Sequence, residues 1–266
     1  MFQALRQIFA RGPAAASAAL PAGQRVYAIG DIHGRRDLFE ALIGAIDADD
    51  ASLPPAETTV ILLGDLVDRG SDSAGVIALA REWQKRRWVR ILAGNHEEMF
   101  LRSFSKLEVF RHFLRHGGRE TVLSYGVGRD AFIQASLEEA QQLMIAAVPA
   151  ADIAFLESFE DKIEIGDYLF VHAGIDPTVP LEEQRTQDLR WIREPFLSHP
   201  DSYGKVIVHG HTICDAPEDR GNRIGIDTGA YMSGRLTAIA LEGTTRRYIE
   251  AAESAGGGIE TSALAA

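Results

Sequence analysis

The chain has 266 residues, 46% of them hydrophobic and 24% charged, an ordinary globular composition with length for one large domain or two small ones. Its formal charge of -11 argues against a sequence-independent nucleic-acid binder, which needs a basic surface to displace phosphate counterions. A single cysteine, Cys214, excludes an internal disulfide and a CxxC metal site, and no run of roughly eighteen apolar residues is present to span a membrane. The expectation is a cytosolic monomer with no nucleic-acid partner and no stable membrane insertion.

The first 24 residues, "MFQALRQIFARGPAAASAALPAGQ", break their apolar run at Gln7, Arg11 and Pro13, a poor core for a secretory signal, so residues 1–24 are expected to be a flexible leader. Strand-length apolar runs follow, each ending at glycine: "RVYAIG" (25–30), "TVILLG" (59–64), "VRILAG" (89–94), "DYLFVHAG" (167–174) and "KVIVHG" (205–210). Helical patterns at 37–46 and 73–86 separate the first three, which is the βαβ signature of a parallel sheet. Residues 97–160 read mainly as helix, with "SLEEAQQLMIAA" the clearest segment, and the stretch from Asn222 reads as short strands with tight turns. One domain over 25–250 is expected, followed by a small, polar segment, 251–266, expected to be disordered.

Polar residues recur where these strands end. Asp31 and His33 follow the first, Asp65 the second, Asn95 and His96 the third; His172 lies near the end of the fourth, and His209 and His211 close the fifth. A helix cap explains any one of the carboxylates, and a lone histidine is more often a hydrogen-bonded core residue than a ligand. Neither explains carboxylate, amide and imidazole recurring at one strand end, where open α/β sheets bind ligands. Asp31, His33, Asp65, Asn95, His172 and His211 offer oxygen and neutral nitrogen donors without sulfur, a set suited to Mn²⁺, Fe or Zn²⁺. Six ligands serve two ions if Asp65 bridges them, and two such ions can share a water, lower its pKa and clamp the oxygens of an in-line displacement. In "GDLVDRG" (64–70), Asp68 is then placed to hold His96 as a general acid and to raise its pKa, and Arg69 to fork onto phosphate oxygens.

The motifs "GDIHG" (30–34), "GDLVDRG" (64–70), "GNHE" (94–97), "HAG" (172–174) and "HGH" (209–211) resemble, in order, the five signatures of the phosphoprotein phosphatase family of Ser/Thr phosphatases, within the metallophosphoesterases. The likeness covers roughly residues 25–240 and is greatest to small bacterial and phage members. It implies an α/β sandwich of two packed mixed sheets flanked by helices, two metal ions, usually Mn²⁺, and no covalent phosphoenzyme. It also implies Asp31, His33 and Asp65 around one ion, and Asp65, Asn95, His172 and His211 around the other. His96 with Asp68 matches the family's acid pair, and Arg69 one phosphate-binding arginine. A second arginine is expected in "LRWIRE" (189–194), with Arg193 first and Arg190 as the alternative.

The expected substrate is a phosphoprotein or phosphopeptide. Enzymes cleaving diadenosine tetraphosphate share the metal motifs and are the main alternative, and an inactive phosphoprotein-binding module is the third. "RHFLRHGGRE" (111–120) reads either as a basic guide for an acidic substrate or as a solvated helix face with its glycine stop. His112, His116 and His199 are given no ligand role; Trp83, Trp88 and Trp191 are expected to pack, and Cys214 to be a small, partly buried side chain.

Overall fold

The computed structural model describes residues 18–264. On β1 (Gln24–Ile29), Val26 and Ala28 face one way and Tyr27 and Ile29 the other, and all four are buried, so the sheet is covered on both sides. α1 (Arg36–Ser52) and α2 (Ser73–Gln84) cover the Tyr27 face with Phe39, Leu42, Val76 and Trp83. β2 (Glu57–Leu62) and β3 (Val89–Ile91) extend the sheet in parallel, with Val26 opposite Thr59 and Val60 opposite Val89. The βαβαβ unit read from the apolar spacing is therefore present.

The helical stretch follows. α3 (Asn95–Ser103), α4 (Leu107–Phe113), a π-helical turn (Leu114–Gly118), α5 (Arg119–Ser124), α6 (Arg129–Gln134), α7 (Leu137–Ala147) and α8 (Ala150–Glu157) gather around Phe100, Phe110, Phe113 and Met144. The "SLEE" at the start of α7 works as a capping box, Ser136 Oγ accepting from Glu139 N at 3.2 Å and the Glu139 carboxylate from Ser136 N at 2.8 Å.

The second half supplies β4 (Lys162–Ile165), β5 (Tyr168–Val171), α9 (Thr186–Trp191), β6 (Val206–His209), β7 (Glu218–Asp219), β8 (Arg223–Gly225), α10 (Ala230–Ser233), β9 (Arg235–Glu242), β10 (Thr245–Glu253) and β11 (Ile259–Leu264). Two mixed sheets result, ordered β11-β10-β9-β1-β2-β3 and β4-β5-β6-β8-β7. They meet face to face through Val26, Ala28 and Ile61 on one side and Tyr168, Phe170 and Val208 on the other. Deleting one such ring, as in Phe170→Ala, costs about 3–5 kcal/mol because the cavity collapses only in part. The outer face of the second sheet buries Leu169 and Val171 against Leu189 and Phe196, giving the α/β sandwich of two packed mixed sheets flanked by helices.

Near both ends, the described residues depart from expectation. Residues 1–17 of the expected leader lie outside the described residues, but 18–24 are fastened to the fold: Leu20 N donates to Gly243 O at 2.9 Å, Ala19 N to Asp167 Oδ2 at 3.0 Å and Tyr168 Oη to Ala18 O at 3.2 Å. Residues 251–264, expected to be disordered, instead finish β10 and form β11, which pairs with β10 from Tyr248–Leu264 to Glu253–Ile259. An edge strand is held by backbone bonds on one side, so low hydrophobicity does not prevent it. No described helix is long and apolar enough to cross a membrane.

Candidate metal centre

The strands β1, β2 and β3 of one sheet and β5 and β6 of the other end at the same rim. There Asp31, His33, Asp65, Asn95, His96, His172 and His211 come together, all buried. The backbone is bent to bring them in. Among the described residues, the non-glycine positions with positive φ are His33 (45°), Asp65 (50°), Asp68 (74°), Arg69 (70°) and His211 (62°), every one a residue expected at the site. Such conformations cost of order 1–3 kcal/mol each and cluster where function requires them. Close approach matters as much: a Cβ at Gly94 would lie 2.1 Å from Asp65 Oδ1, the atom that accepts from His96 N at 3.0 Å.

Asp65 is shared by two clusters of donor atoms, one with His33 and His96 and one with His172 and His211. Its carboxylate lies 3.6 Å from His33 Nε2, 3.9 Å from His96 Nε2 and 3.4 Å from His172 Nε2. Asn95 Oδ1 lies 3.0 Å from His172 Nε2 and 2.8 Å from His211 Nδ1. Asp31 accepts from His211 N with both oxygens, at 3.2 and 3.0 Å. His33 and His172 each turn Nδ1 to a main-chain carbonyl, Val67 O and Leu63 O at 2.8 Å, which leaves the Nε2 lone pair of each facing the rim, the arrangement that orients metal-binding imidazoles. His211 Nε2 is buried with no hydrogen-bond partner at all.

The electrostatics say what the rim lacks. Burial, then Asp227 and Asp65, pushes the Asp31 carboxyl well above its usual range, and burial likewise raises Asp65 and pushes Asp227 up to about 6. Burial drives His33 well down, His172 down to about 4 and His211 down to about 2, so these rings are neutral. Carboxylates crowd together among neutral imidazoles with too little positive charge nearby. Oxygen and nitrogen donors, an unpartnered imidazole nitrogen and this deficit fit divalent cations.

Beside these donors lies a cleft of about 150 Å³ lined in part by Asp65, Arg69, His96, Trp191 and Arg193. Asp68 Oδ2 meets His96 Nδ1 at 2.6 Å, and Arg69 places Nη1 2.9 Å from His33 Nε2 and Nη2 3.0 Å from His96 Nε2, with its guanidinium 4.6 Å over the Tyr231 ring. The expected rise in the His96 pKa is absent from this arrangement. Burial takes the ring down to about 4, and Arg69 adds to the fall against the pull of Asp65. Of the two candidate arginines, Arg193 lines the cleft and donates to His211 O at 3.3 Å, whereas Arg190 is tied to Asp161 at 2.6 Å and lies 3.7 Å from Glu98.

Several residues at the site were not read from sequence. Glu97 ties "GNHE" to "GDLVDRG", its carboxylate accepting from the N–H groups of Gly94 (2.9 Å), Asp65 (2.8 Å), Leu66 (2.7 Å) and Val67 (3.3 Å). Asp227 follows β8 as Asp31 follows β1, and "RIGID" carried the same strand-then-aspartate signal. Trp191 and the pair His112–His116 line the cleft. Trp83 packs as expected, but Trp88 is 70% exposed. Cys214 is half-buried, its thiol pushed up to about 11 by burial.

Residues 24–227 match the calcineurin-like phosphoesterase family. Serine/threonine-protein phosphatase 1 of Salmonella typhimurium is 26% identical over 224 residues, 82% of this chain and 93% of that protein. The asymmetrical bis(5′-nucleosyl)-tetraphosphatase PrpE of Oceanobacillus iheyensis is 26% identical over 235 residues, covering 79% and 86%. Among solved structures, a cold-active protein tyrosine phosphatase shares the fold with a TM-score of 0.59 at 20% identity, over 91% of this chain and 81% of that one. The matched span holds all five motifs and the rim they build: the chain belongs to the calcineurin-like phosphoesterases and is a metal-dependent hydrolase of phosphate esters.

Proposed function

We propose that this enzyme is a serine/threonine protein phosphatase working with two divalent ions, Mn²⁺ foremost and Fe or Zn²⁺ as alternatives, as a cytosolic monomer. Asp31, His33 and Asp65 would hold the first ion, and Asp65, Asn95, His172 and His211 the second. When bound, such ions supply a water of lowered pKa and neutralise phosphate charge. The observation that carries the reading is the placement, in one small cleft, of Arg69 and the Asp68-supported His96 beside a carboxylate shared by both donor clusters. The "VDRG" and "WIRE" segments and the phosphatase-named relative point the same way.

The chain's own groups divide the work. Arg69 and Arg193 face one cleft and orient phosphate oxygens as planar forks. His96 donates Nδ1–H to Asp68, and its Nε2 accepts from Arg69 in this structure. When Arg69 turns to a phosphate, that Nε2 is released beside a doubly negative group, which favours protonation. The imidazolium then gives its proton to the departing alkoxide while Asp68 keeps the ring in place.

Turnover of a phosphoserine peptide, para-nitrophenyl phosphate and diadenosine tetraphosphate separates the readings. Greatest kcat/KM on the peptide with Mn²⁺, and two metal ions per chain by elemental analysis, are expected. The second reading, a dinucleoside tetraphosphatase, is favoured by the PrpE relative and by Trp191, whose ring borders the cleft where a base could stack. Cleavage restricted to the dinucleotide would establish it in place of the first. Inertness toward all three, with metal bound, would leave only a binding module.

A further inference from the structure

Asp68 is completely buried, and both carboxylate oxygens are committed. Oδ2 meets His96 Nδ1 at 2.6 Å; Oδ1 accepts from Thr121 Oγ1, also at 2.6 Å. Thr121 comes from α5, 53 residues further along the chain. Its hydroxyl has one proton, which lies on the carboxylate, so in the 3.0 Å contact between Ser73 Oγ and Thr121 Oγ1 the serine is the donor. The Asp68 N–H donates to Thr121 Oγ1 at 2.9 Å and to Ser73 Oγ at 3.0 Å. Buried helix threonines commonly return their hydroxyl to a carbonyl one turn back. Thr121 gives it to a carboxylate instead.

The same segment grips the neighbouring residue. Arg69 N donates to Gly117 O at 3.1 Å, and a Cβ at Gly117, whose φ is +104°, would fall 2.6 Å from Arg69 Cγ. The π-helical turn and the start of α5 thus close over two loop residues whose own φ angles are +74° and +70°. An aspartate χ2 is a broad, two-fold torsion, so a carboxylate held at one oxygen is free to swing. Held at both, it is fixed.

We propose that Thr121 is a positioning residue for the acid step: its hydroxyl pins Asp68 Oδ1 so that Oδ2 keeps the His96 ring aimed at the leaving oxygen. The inference rests on the reading of His96 as the acid, and the substitutions are chosen to separate the two. Thr121→Val keeps the shape and removes the hydroxyl; Thr121→Ser keeps the hydroxyl; Ser73→Ala removes a bond to the same Asp68 N–H without touching the carboxylate.

The readout is a ratio in the Mn²⁺-loaded full chain: kcat/KM on para-nitrophenyl phosphate, whose leaving group needs little help, over kcat/KM on a phosphoserine peptide, whose alkoxide needs a proton. A positioned acid contributes roughly 10²–10⁴-fold, and its misalignment in Thr121→Val raises this ratio by about tenfold or more. Thr121→Ser returns the ratio to the wild-type value, while Ser73→Ala lowers Tm and leaves the ratio alone. In a His96→Asn background, where the ratio is already high, Thr121→Val adds nothing. If Thr121→Val precipitates, Thr121→Cys, of similar size with a weak donor, gives the same comparison. An unchanged ratio in the soluble Thr121 variant while His96→Asn remains steep removes Thr121 and spares the acid. An unchanged ratio in His96→Asn itself removes both.

Discussion

β1 has charge at each end, and the two ends treat it in opposite ways. At its start, buried Arg25 donates to Asp50 at 2.6 Å and to Glu242 at 2.9 Å, Arg87 reaches Asp50 at 2.5 Å and Arg247 reaches Asp49 at 2.8 Å. Arg247 holds the Asp49 carboxyl below its usual range, and for Asp50 the bonds from Arg25 and Arg87 outweigh burial with the same result. At its other end Asp31, Asp65 and Asp227 meet one another among neutral imidazoles, and burial lifts all three. One end is an ionic network closed within the chain. At the other, burial outweighs the pull of Arg69 on Asp31, Asp65 and Asp227, and a cation from outside would complete it.

The largest effect expected from that difference is on turnover. Removing divalent ions with EDTA abolishes activity and Mn²⁺ restores it; Tm falls too, because an ion at a thousand times its Kd stabilises by about 4 kcal/mol. Asp65→Asn, which breaks the carboxylate common to both donor clusters, lowers kcat by about a thousandfold or more, as several kcal/mol of transition-state stabilisation are lost. The metal-free variant should melt no lower than the metal-free wild type, since a buried like charge has gone. A metal-free Asp65→Asn protein that melted well below it would mean that this end is an ion-pair network as well, and the contrast would fail.

Asp50→Ala sharpens the comparison from the opposite side. Arg25 and Arg87 both lose a partner, and breaking a buried pair from one side costs about 3 kcal/mol. For a chain of this size that is a fall of roughly 5–10 °C in Tm. The substitution sits at the far end of the strand from the cleft, so kcat/KM per folded molecule stays within about twofold of wild type, additivity holding for distant sites. A large loss of kcat/KM in protein that is fully folded by calorimetry would show the two ends to be coupled.

What the sequence disclosed follows the same division. Strand-length runs ending in glycine made the parallel β1–β2–β3 unit legible, and a polar residue just past or near the end of each run marked Asp31, Asp65, Asn95, His172 and His211, because a donor at the end of a buried strand is a local pattern. Asp227 has that pattern too, but β8 spans only three residues, too short for an apolar run to stand out. Thr121 had no local signal: its role comes from a helix packing on a loop 53 residues earlier in the chain. Glu97 was visible inside "GNHE", yet its four backbone donors belong to two separate loops that only the fold brings together. β11 was missed for a different reason, since an edge strand draws its order from the neighbour it pairs with rather than from its own apolar content.

The smallest expected effect is on stability against pH in the metal-free protein, and it tests the charge deficit directly. Burial pushes the Asp227 carboxyl up to about 6 from an ordinary value of 3.8, so between these the folded chain should retain a proton that the unfolded chain has released, and stability should fall as pH rises. Asp49 has the opposite sign: its folded value lies below 3.8, and its contribution is present above that pH and lost as acid is added. The imidazoles of His172 and His211, depressed from 6.5 to about 4 and about 2, also favour the fold as pH rises toward 6.5, so the wild-type profile mixes opposing slopes. Subtraction separates them. The unfolding free energy of wild type minus that of Asp227→Asn, from urea titrations between pH 4 and pH 6, should decline as pH increases, whereas the same difference for Asp49→Asn should be flat there and shrink only below pH 4. A level line for Asp227→Asn would show that its carboxylate finds enough positive charge within the chain, and the rim would no longer require an ion on electrostatic grounds.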